Sequence, residues 1–213
     1  MEIRLENICK SYENNVVLSN INLTIRSNEI TCIMGHSGRG KTTLVNVIAG
    51  LVKPDAGAII WLDKKAAMSF SEGSVAGKHP IDYNAKISIV FQEDRLLNWE
   101  TALSNVLFVT NKKTTSLSER AQELLIQAGL GDSINKKAVE LSGGTKRRVC
   151  ICRALIAEYD LLILDEPFKG LDSDIKPIIM NMVKEQKNSN KCIICITHDP
   201  SEAEYLGGKL IML

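Results

Sequence analysis

Three stretches of the sequence carry residue types that do chemistry together. Gly35 to Thr43 read GHSGRGKTT, which fits G-x-x-x-x-G-K-[ST]. An apolar run, EITCIM, precedes the loop and a helix-forming run follows it. In that setting glycines let main-chain N–H groups curl around phosphate oxygens, and the helix start adds the positive end of its dipole. Lys41 is placed to meet the β- and γ-phosphates, and the Thr42 hydroxyl to meet Mg²⁺. Gly35, His36, Ser37, Gly38, Arg39, Gly40 and Thr43 complete the loop. The side chains of His36 and Arg39 read as solvated, as does that of the other loop histidine, His79.

Leu161 to Pro167 read LLILDEP. An apolar strand brings Asp165 to its C-terminal end, where open α/β sheets hold their ligands. Asp165 suits the shell of a Mg²⁺ ion. Glu166 is next in sequence and points elsewhere, placed to orient or deprotonate an attacking water. The plain alternative is a carboxylate pair capping a helix start. Leu141 to Val149 read LSGGTKRRV. A helix beginning near Gly144 or Thr145 puts Lys146, Arg147 and Arg148 in its first turn. Cations there oppose the helix dipole by about 0.3 to 1 kcal/mol each when exposed. A solvated face tolerates that, and an anion or carboxylates nearby would favour it.

The elements that must position these residues follow from periodicity. The first thirty-odd residues read as strands, with MEIRLENICKSY and VVLSNINLTI alternating apolar and polar positions. A helix is expected from about Lys41 to Leu51, a strand near Ala58 to Leu62, a loop from Asp63 to Lys86, and a strand over ISIVFQ. Trp99 to about Asp132 is helical in pattern, with SERAQELLIQAGL amphipathic between a Ser118–Glu119 start and a Gly129 stop. LLILDEP and CIICITHD are short and wholly apolar, separated by a helical stretch from about Ser173 to Lys187. Strands buried on both faces read this way, and their alternation with helices indicates parallel βαβ units. GKLIML is a last short strand. The fold class expected is α/β, with a mainly parallel sheet.

Composition bounds the rest. The 213 residues are 45% hydrophobic and 24% charged with a net charge of +1, an ordinary globular balance that gives no reason to expect nucleic acid. No apolar run approaches the roughly 20 residues of a membrane helix, and the N-terminus has no signal-peptide core. Docking on a membrane stays open. Of the six cysteines, Cys192 and Cys195 have CxxC spacing. They lie in one strand, where positions three apart face opposite ways, so a shared metal is not expected.

Six motifs in order, GHSGRGKTT, Gln92 in VFQ, LSGG, LLILDEP, GLD at Gly170 to Asp172 and THD at Thr197 to Asp199, resemble the ATP-binding cassette family over essentially the whole chain. The resemblance implies a P-loop nucleoside triphosphatase core, an antiparallel β subdomain at the N-terminus and an inserted helical subdomain over about 95–158. Residues 1–213 would form one nucleotide-binding domain that hydrolyses ATP with Mg²⁺. It implies a head-to-tail dimer of two such subunits, in which Ser142, Gly143 and Gly144 close over the γ-phosphate held by the other chain. Gln92 would meet Mg²⁺ or the attacking water. His198 would contact the γ-phosphate and Glu166, and Asp172 would lie at the dimer contact. Tyr12 falls where the family stacks an aromatic on adenine, though a packing role is equally open to a lone Tyr after a strand. Thr145 stands where the family usually has Gln, which touches one contact to the other chain's nucleotide. No added C-terminal regulatory domain is expected.

FQEDRLLNWETALSNV, Phe91 to Val106, looks like the nitrate, sulfonate and taurine importer ATPases, with Asn98 in place of their proline. That implies an importer subunit, peripheral on the cytoplasmic face of the membrane, docked on a permease and served indirectly by a solute-binding protein. A soluble cassette protein not coupled to transport is the alternative. Leu96, Leu97 and Trp99 would either face the permease or merely pack the helical subdomain.

Overall fold

A computed structural model describes residues 1–13, 15–36, 38–62, 66–70, 85–110, 114–188 and 190–213, with the main chain alone for 66–70 and 188. Ser37, His79 and the stretch 71–84 lie outside the described residues.

The alternating N-terminal segments form β1 (Glu2–Tyr12) and β2 (Asn15–Arg26), which pair antiparallel. β1 also pairs antiparallel with β4 (Ala56–Trp61), and β4 with β5 (Ala66–Phe70), giving a four-stranded sheet in the order β2-β1-β4-β5. β5 corrects the expectation of a loop from Asp63 to Lys86. Its sequence, AAMSF, is too short and too weakly alternating to announce a strand, and pairing to Gly57–Trp61 is what makes it one.

The second sheet is parallel throughout, in the order β6-β7-β8-β3-β9. Its strands are β3 (Ile30–Met34), β6 (Ile87–Val90), β7 (Leu161–Asp165), β8 (Cys192–Ile196) and β9 (Lys209–Met212). Every residue of β3, β7 and β8 is buried. Alternation divides them between two cores. Leu161, Ile163, Cys192, Ile194 and Ile196 pack towards β1, β2 and α1 (Lys41–Ile48), while Leu162, Leu164, Ile193 and Cys195 pack towards the later helices. Cys192 and Cys195 therefore lie on opposite faces of the sheet. Each such aliphatic side chain contributes about 1.5 to 3 kcal/mol by leaving water, which holds the strand ends rigidly.

Between β6 and β7 come α2 (Ala102–Leu107), α3 (Thr115–Gln127) and α4 (Gly143–Ile156). The Thr114 hydroxyl caps α3 by accepting from Leu117 N at 3.2 Å, so the helix starts earlier than Ser118. α4 likewise starts a residue or two early, because Ser142 accepts from Thr145 N and serves as its cap. α5 (Lys176–Lys184) begins three residues later than Ser173, with a proline in its first turn, and runs into a 3₁₀ turn at Glu185–Asn188. α6 (Pro200–Leu206) leads to β9. No helix among the described residues is long and apolar enough to cross a membrane.

Candidate active site

In a parallel sheet all C-terminal strand ends lie on one edge. β8 runs between β3 and β7, so the loop after β3, the carboxylates after β7 and the histidine after β8 meet there. An open cleft of about 320 Å³ at this edge is lined by Tyr12, Gly38, Gly40, Lys41, Thr42, Thr43, Gln92, Asp165, Glu166 and His198. Residues drawn from five separate stretches of sequence are thereby brought to one place.

Gly40 precedes α1 at φ 83°, a left-handed conformation that costs glycine little. The cap residue, Gly40, has no side chain to bond the first N–H groups of α1, which suits an anion there. Lys41 is 6% exposed, and its ammonium donates to Gly35 O at 2.7 Å and His36 O at 2.9 Å. The loop thus folds around its own cation. His36 and Arg39 are exposed, as solvated side chains should be.

Thr42 Oγ1 donates to Asp165 Oδ2 at 3.1 Å. Asp165 is 5% exposed. Burial pushes its carboxyl above the ordinary value, the Thr42 hydrogen bond works against that, and the neighbouring Glu166 charge adds to it. A buried carboxylate, a hydroxyl and the nearby Gln92 amide form an all-oxygen set suited to a hard divalent cation. The residues therefore fit Mg²⁺.

The strand ends at Asp165 because Glu166 turns away with φ 47°, an uncommon value for a residue with a Cβ. Its N–H donates to Ile196 O at 3.0 Å, tying it to β8. Glu166 Oε1 lies 2.8 Å from His198 Nε2. Burial raises the Glu166 carboxyl, but the Lys169 hydrogen bond and charge, with His198, outweigh it and hold the group below the usual carboxylate range. Adjacent carboxylates are thus pushed in opposite directions by their surroundings.

Tyr12 is 47% exposed on the cleft wall, with Lys10 Nζ over its ring at 5.4 Å from the centre. Ser142, Gly143 and Gly144 do not line the cleft. Ser142 and Gly143 are exposed at the start of α4, and Gly144 packs so closely that a Cβ would lie 3.1 Å from Gly170 O. Asp172 is exposed, with its carbonyl accepting from Ile175 N and Lys176 N.

A family model described as "ABC transporter" matches residues 18–169. The chain belongs to the ABC transporter family. The bicarbonate transport ATP-binding protein CmpD of Synechocystis sp. is 36% identical to this cassette over 221 residues, 99% of this chain and 73% of that protein. The aliphatic sulfonates import ATP-binding protein SsuB of Corynebacterium glutamicum is 36% identical over 208 residues, 96% of this chain and 76% of its own. Among solved structures, the dimeric post-hydrolysis state of the cassette MJ0796 bound to ADP and Pi superposes with a TM-score of 0.80 at 30% identity, covering 99% of this chain and 94% of that one. This cassette is an ATP hydrolase with the P-loop fold of that family.

Some residues of the cassette's active edge escape sequence reasoning. Lys169 Nζ lies 3.0 Å from Glu166 Oε2, and the signal was an i,i+3 spacing across a turn. Lys176 bridges Glu202 Oε1 at 2.7 Å and Asp199 Oδ2 at 3.2 Å, while Thr197 Oγ1 donates to Glu202. Both neighbours of His198 are pinned in this way. The cations after LSGG are also not a free surface. Arg148 donates to Ala128 O at 2.8 Å and Gly129 O at 3.2 Å, closing the C-terminal end of α3, and Arg147 is turned inward.

Proposed function

We propose that this chain is the ATP-binding and hydrolysing subunit of an importer, driving solute through a separate membrane permease by ATP-dependent closure of a dimer. The observation that carries the reading is the separation, within one chain, of the glycine-loop cleft from the Ser142–Gly144 segment. The cleft holds Lys41, Asp165 and Glu166, while Ser142 and Gly143 face solvent outside it. Two copies related head to tail bring the Ser142–Gly144 segment of each over the cleft of the other. Resemblance to a cassette solved as a dimer supports that arrangement.

In this reading the N–H groups at the start of α1 and the Lys41 ammonium hold the β- and γ-phosphates. Lys41 exchanges its bonds to Gly35 and His36 for phosphate oxygens. Thr42, Asp165 and Gln92 hold Mg²⁺, which neutralises phosphate charge when bound. Tyr12 stacks on adenine. Glu166 accepts a proton from the water that attacks the γ-phosphorus, ADP leaves, and inorganic phosphate carries the transferred group. His198 keeps the Glu166 carboxylate oriented and reaches the γ-phosphate. Gly35 to Thr43, with Ser37, supply the cradle, and Asp172 lies at the dimer contact.

Importer coupling is supported by the relatives named for bicarbonate transport and sulfonate import and by Trp99, which is 70% exposed rather than packed. An exposed tryptophan is a typical anchor for a partner surface. The permease would hold the chain at the cytoplasmic face of the membrane, and a solute-binding protein would act through that permease.

The test is Glu166→Gln with ATP and Mg²⁺. The expected result is an ATP-dependent dimer on size-exclusion chromatography with little hydrolysis. Unchanged turnover would remove Glu166 as the base. Copurification with an integral membrane subunit separates the importer from a soluble cassette.

A further inference from the structure

Arg147 is a cation near the start of α4, just past its first turn, and it is 5% exposed. The expectation that all three cations lie in the first turn is thereby corrected, because the helix starts at Gly143 and only Lys146 falls within that turn. A buried charge persists only when its donors are met. Nη1 donates to Phe91 O at 2.5 Å and Nη2 to Gln92 O at 2.6 Å. Asp94 Oδ1 completes the set at 3.3 Å from Nη1. The planar fork of one guanidinium thus grips two consecutive carbonyls, a geometry that an ammonium cannot copy.

The gripped residue matters. Gln92 lines the cleft with Asp165 and Glu166, on an irregular segment that follows β6. Such a segment has no ladder to fix it. Its main chain is fixed by α4, the same helix whose cap is Ser142. The chain therefore joins Gln92 to the Ser142 surface through little more than one helical turn and one guanidinium.

We infer that Arg147 is a positioning residue that clamps the Gln92 segment to α4, so that the Gln92 amide and the Ser142–Gly144 surface move as one unit. The inference rests on the role proposed for Gln92. Arg147 touches neither nucleotide nor water, and acts by setting where the Gln92 amide sits.

The experiment measures steady-state ATP hydrolysis by the full chain for Arg147→Gln, Arg147→Lys, Gln92→Ala and the double variant Arg147→Gln/Gln92→Ala, with circular dichroism as a check on folding. A misplacement of about 1 Å is enough to cost on the order of a hundredfold in rate. Arg147→Gln is expected to lose about tenfold to a hundredfold in kcat with KM for ATP within about twofold. Arg147→Lys, which keeps the charge but reaches one carbonyl, is expected to fall between parent and Arg147→Gln. The double variant is expected to be no slower than the slower single variant, because both act through one amide. Should Arg147→Gln not fold, Arg147→Lys decides alone, and a parental kcat overturns the inference. Fully additive losses in the double variant overturn it as well. A Gln92→Ala variant at parental kcat removes the role of Gln92 and the clamp's purpose with it, whereas a defective Gln92→Ala beside a parental Arg147→Gln removes the clamp alone.

Discussion

The Lys169 ammonium sits 3.0 Å from Oε2 of Glu166. His198 holds the other oxygen, so the proposed base is gripped from both sides. Burial raises the Glu166 carboxyl, Lys169 is first among the groups that lower it, and the net shift is downward. A carboxylate with a depressed folded pKa is fully ionised above its unfolded value, and its favourable pairing is lost as pH falls through the folded one. Removing Lys169 takes away the leading lowering influence. In Lys169→Ala the acid limb of the kcat–pH profile is therefore expected to move to higher pH. The Lys169 side chain is 67% exposed, so the difference from parent should shrink at high ionic strength. An acid limb that does not move at low salt would show that Lys169 does not control this group.

Lys176 and Glu202 make a different kind of pair. Glu202 is 6% exposed and is met by Lys176 at 2.7 Å and by the Thr197 hydroxyl. Lys176→Met leaves that carboxylate with the Thr197 hydroxyl of these two, and loss of a buried partner costs about 2 kcal/mol. Glu202→Gln is milder, because Lys176 keeps Asp199 at 3.2 Å and the amide can still accept from Thr197. Denaturant unfolding should rank the variants parent, Glu202→Gln, Lys176→Met in falling stability. Because Thr197 and Asp199 flank His198, Lys176→Met should also lower kcat while KM for ATP stays near the parental value. Equal unfolding midpoints for the two variants would contradict the ranking.

The sequence made the buried strands legible because a strand enclosed on both faces has to be uniformly apolar, as ITCIM, LLILD and CIICI are. The glycine loop was legible because phosphate binding demands fixed spacings between glycines, a lysine and a hydroxyl. The pairings were not. Lys169, Lys176 and Arg147 look like surface cations in the sequence, and only the turn at Glu166, the packing of α5 on α6 and the approach of α4 to residues 91–94 give them partners. β5 was missed for a related reason, since its strand character comes from β4 rather than from its own residues.

Thr145 and Ser142 show how one departure from the family pattern is used. Ser142 Oγ lies 2.8 Å from Thr145 Oγ1 and accepts from Thr145 N at 3.3 Å. Arg148 Nη2 donates to Thr145 Oγ1 at 3.3 Å, which orients the Thr145 side chain beside Ser142, and either hydroxyl of the pair can donate to the other. With Thr145 as the donor, Ser142 accepts twice and its own proton is free to donate outward to an anion. Thr145→Val keeps the shape and removes this ordering. Stability should change by about 1 kcal/mol or less, the value of a neutral hydrogen bond. ATP-dependent dimerisation, followed by light scattering, should require more ATP. If the ATP requirement stays parental, Thr145 has no part in presenting Ser142.

Gly143 and Gly144 separate contacts within the chain from contacts with another molecule. A Cβ on Gly143 would meet nothing within 4 Å, whereas one on Gly144 would press on Gly170 O at 3.1 Å. Gly144→Ala therefore has a cost inside the single chain, in the contact between the start of α4 and the turn before Asp172. Gly143→Ala has none, and in a helix alanine is favoured over glycine by roughly 0.5 to 1 kcal/mol. Its melting temperature should equal or exceed that of the parent. If a second copy closes over this surface, the added methyl group stands between Gly143 and the opposing nucleotide, and both ATP-dependent dimerisation and hydrolysis should fall together. A Gly143→Ala chain that is stable yet inactive locates the defect outside its own fold. A Gly143→Ala chain with parental turnover means that no other molecule approaches Gly143 during catalysis, and the head-to-tail site is then wrong.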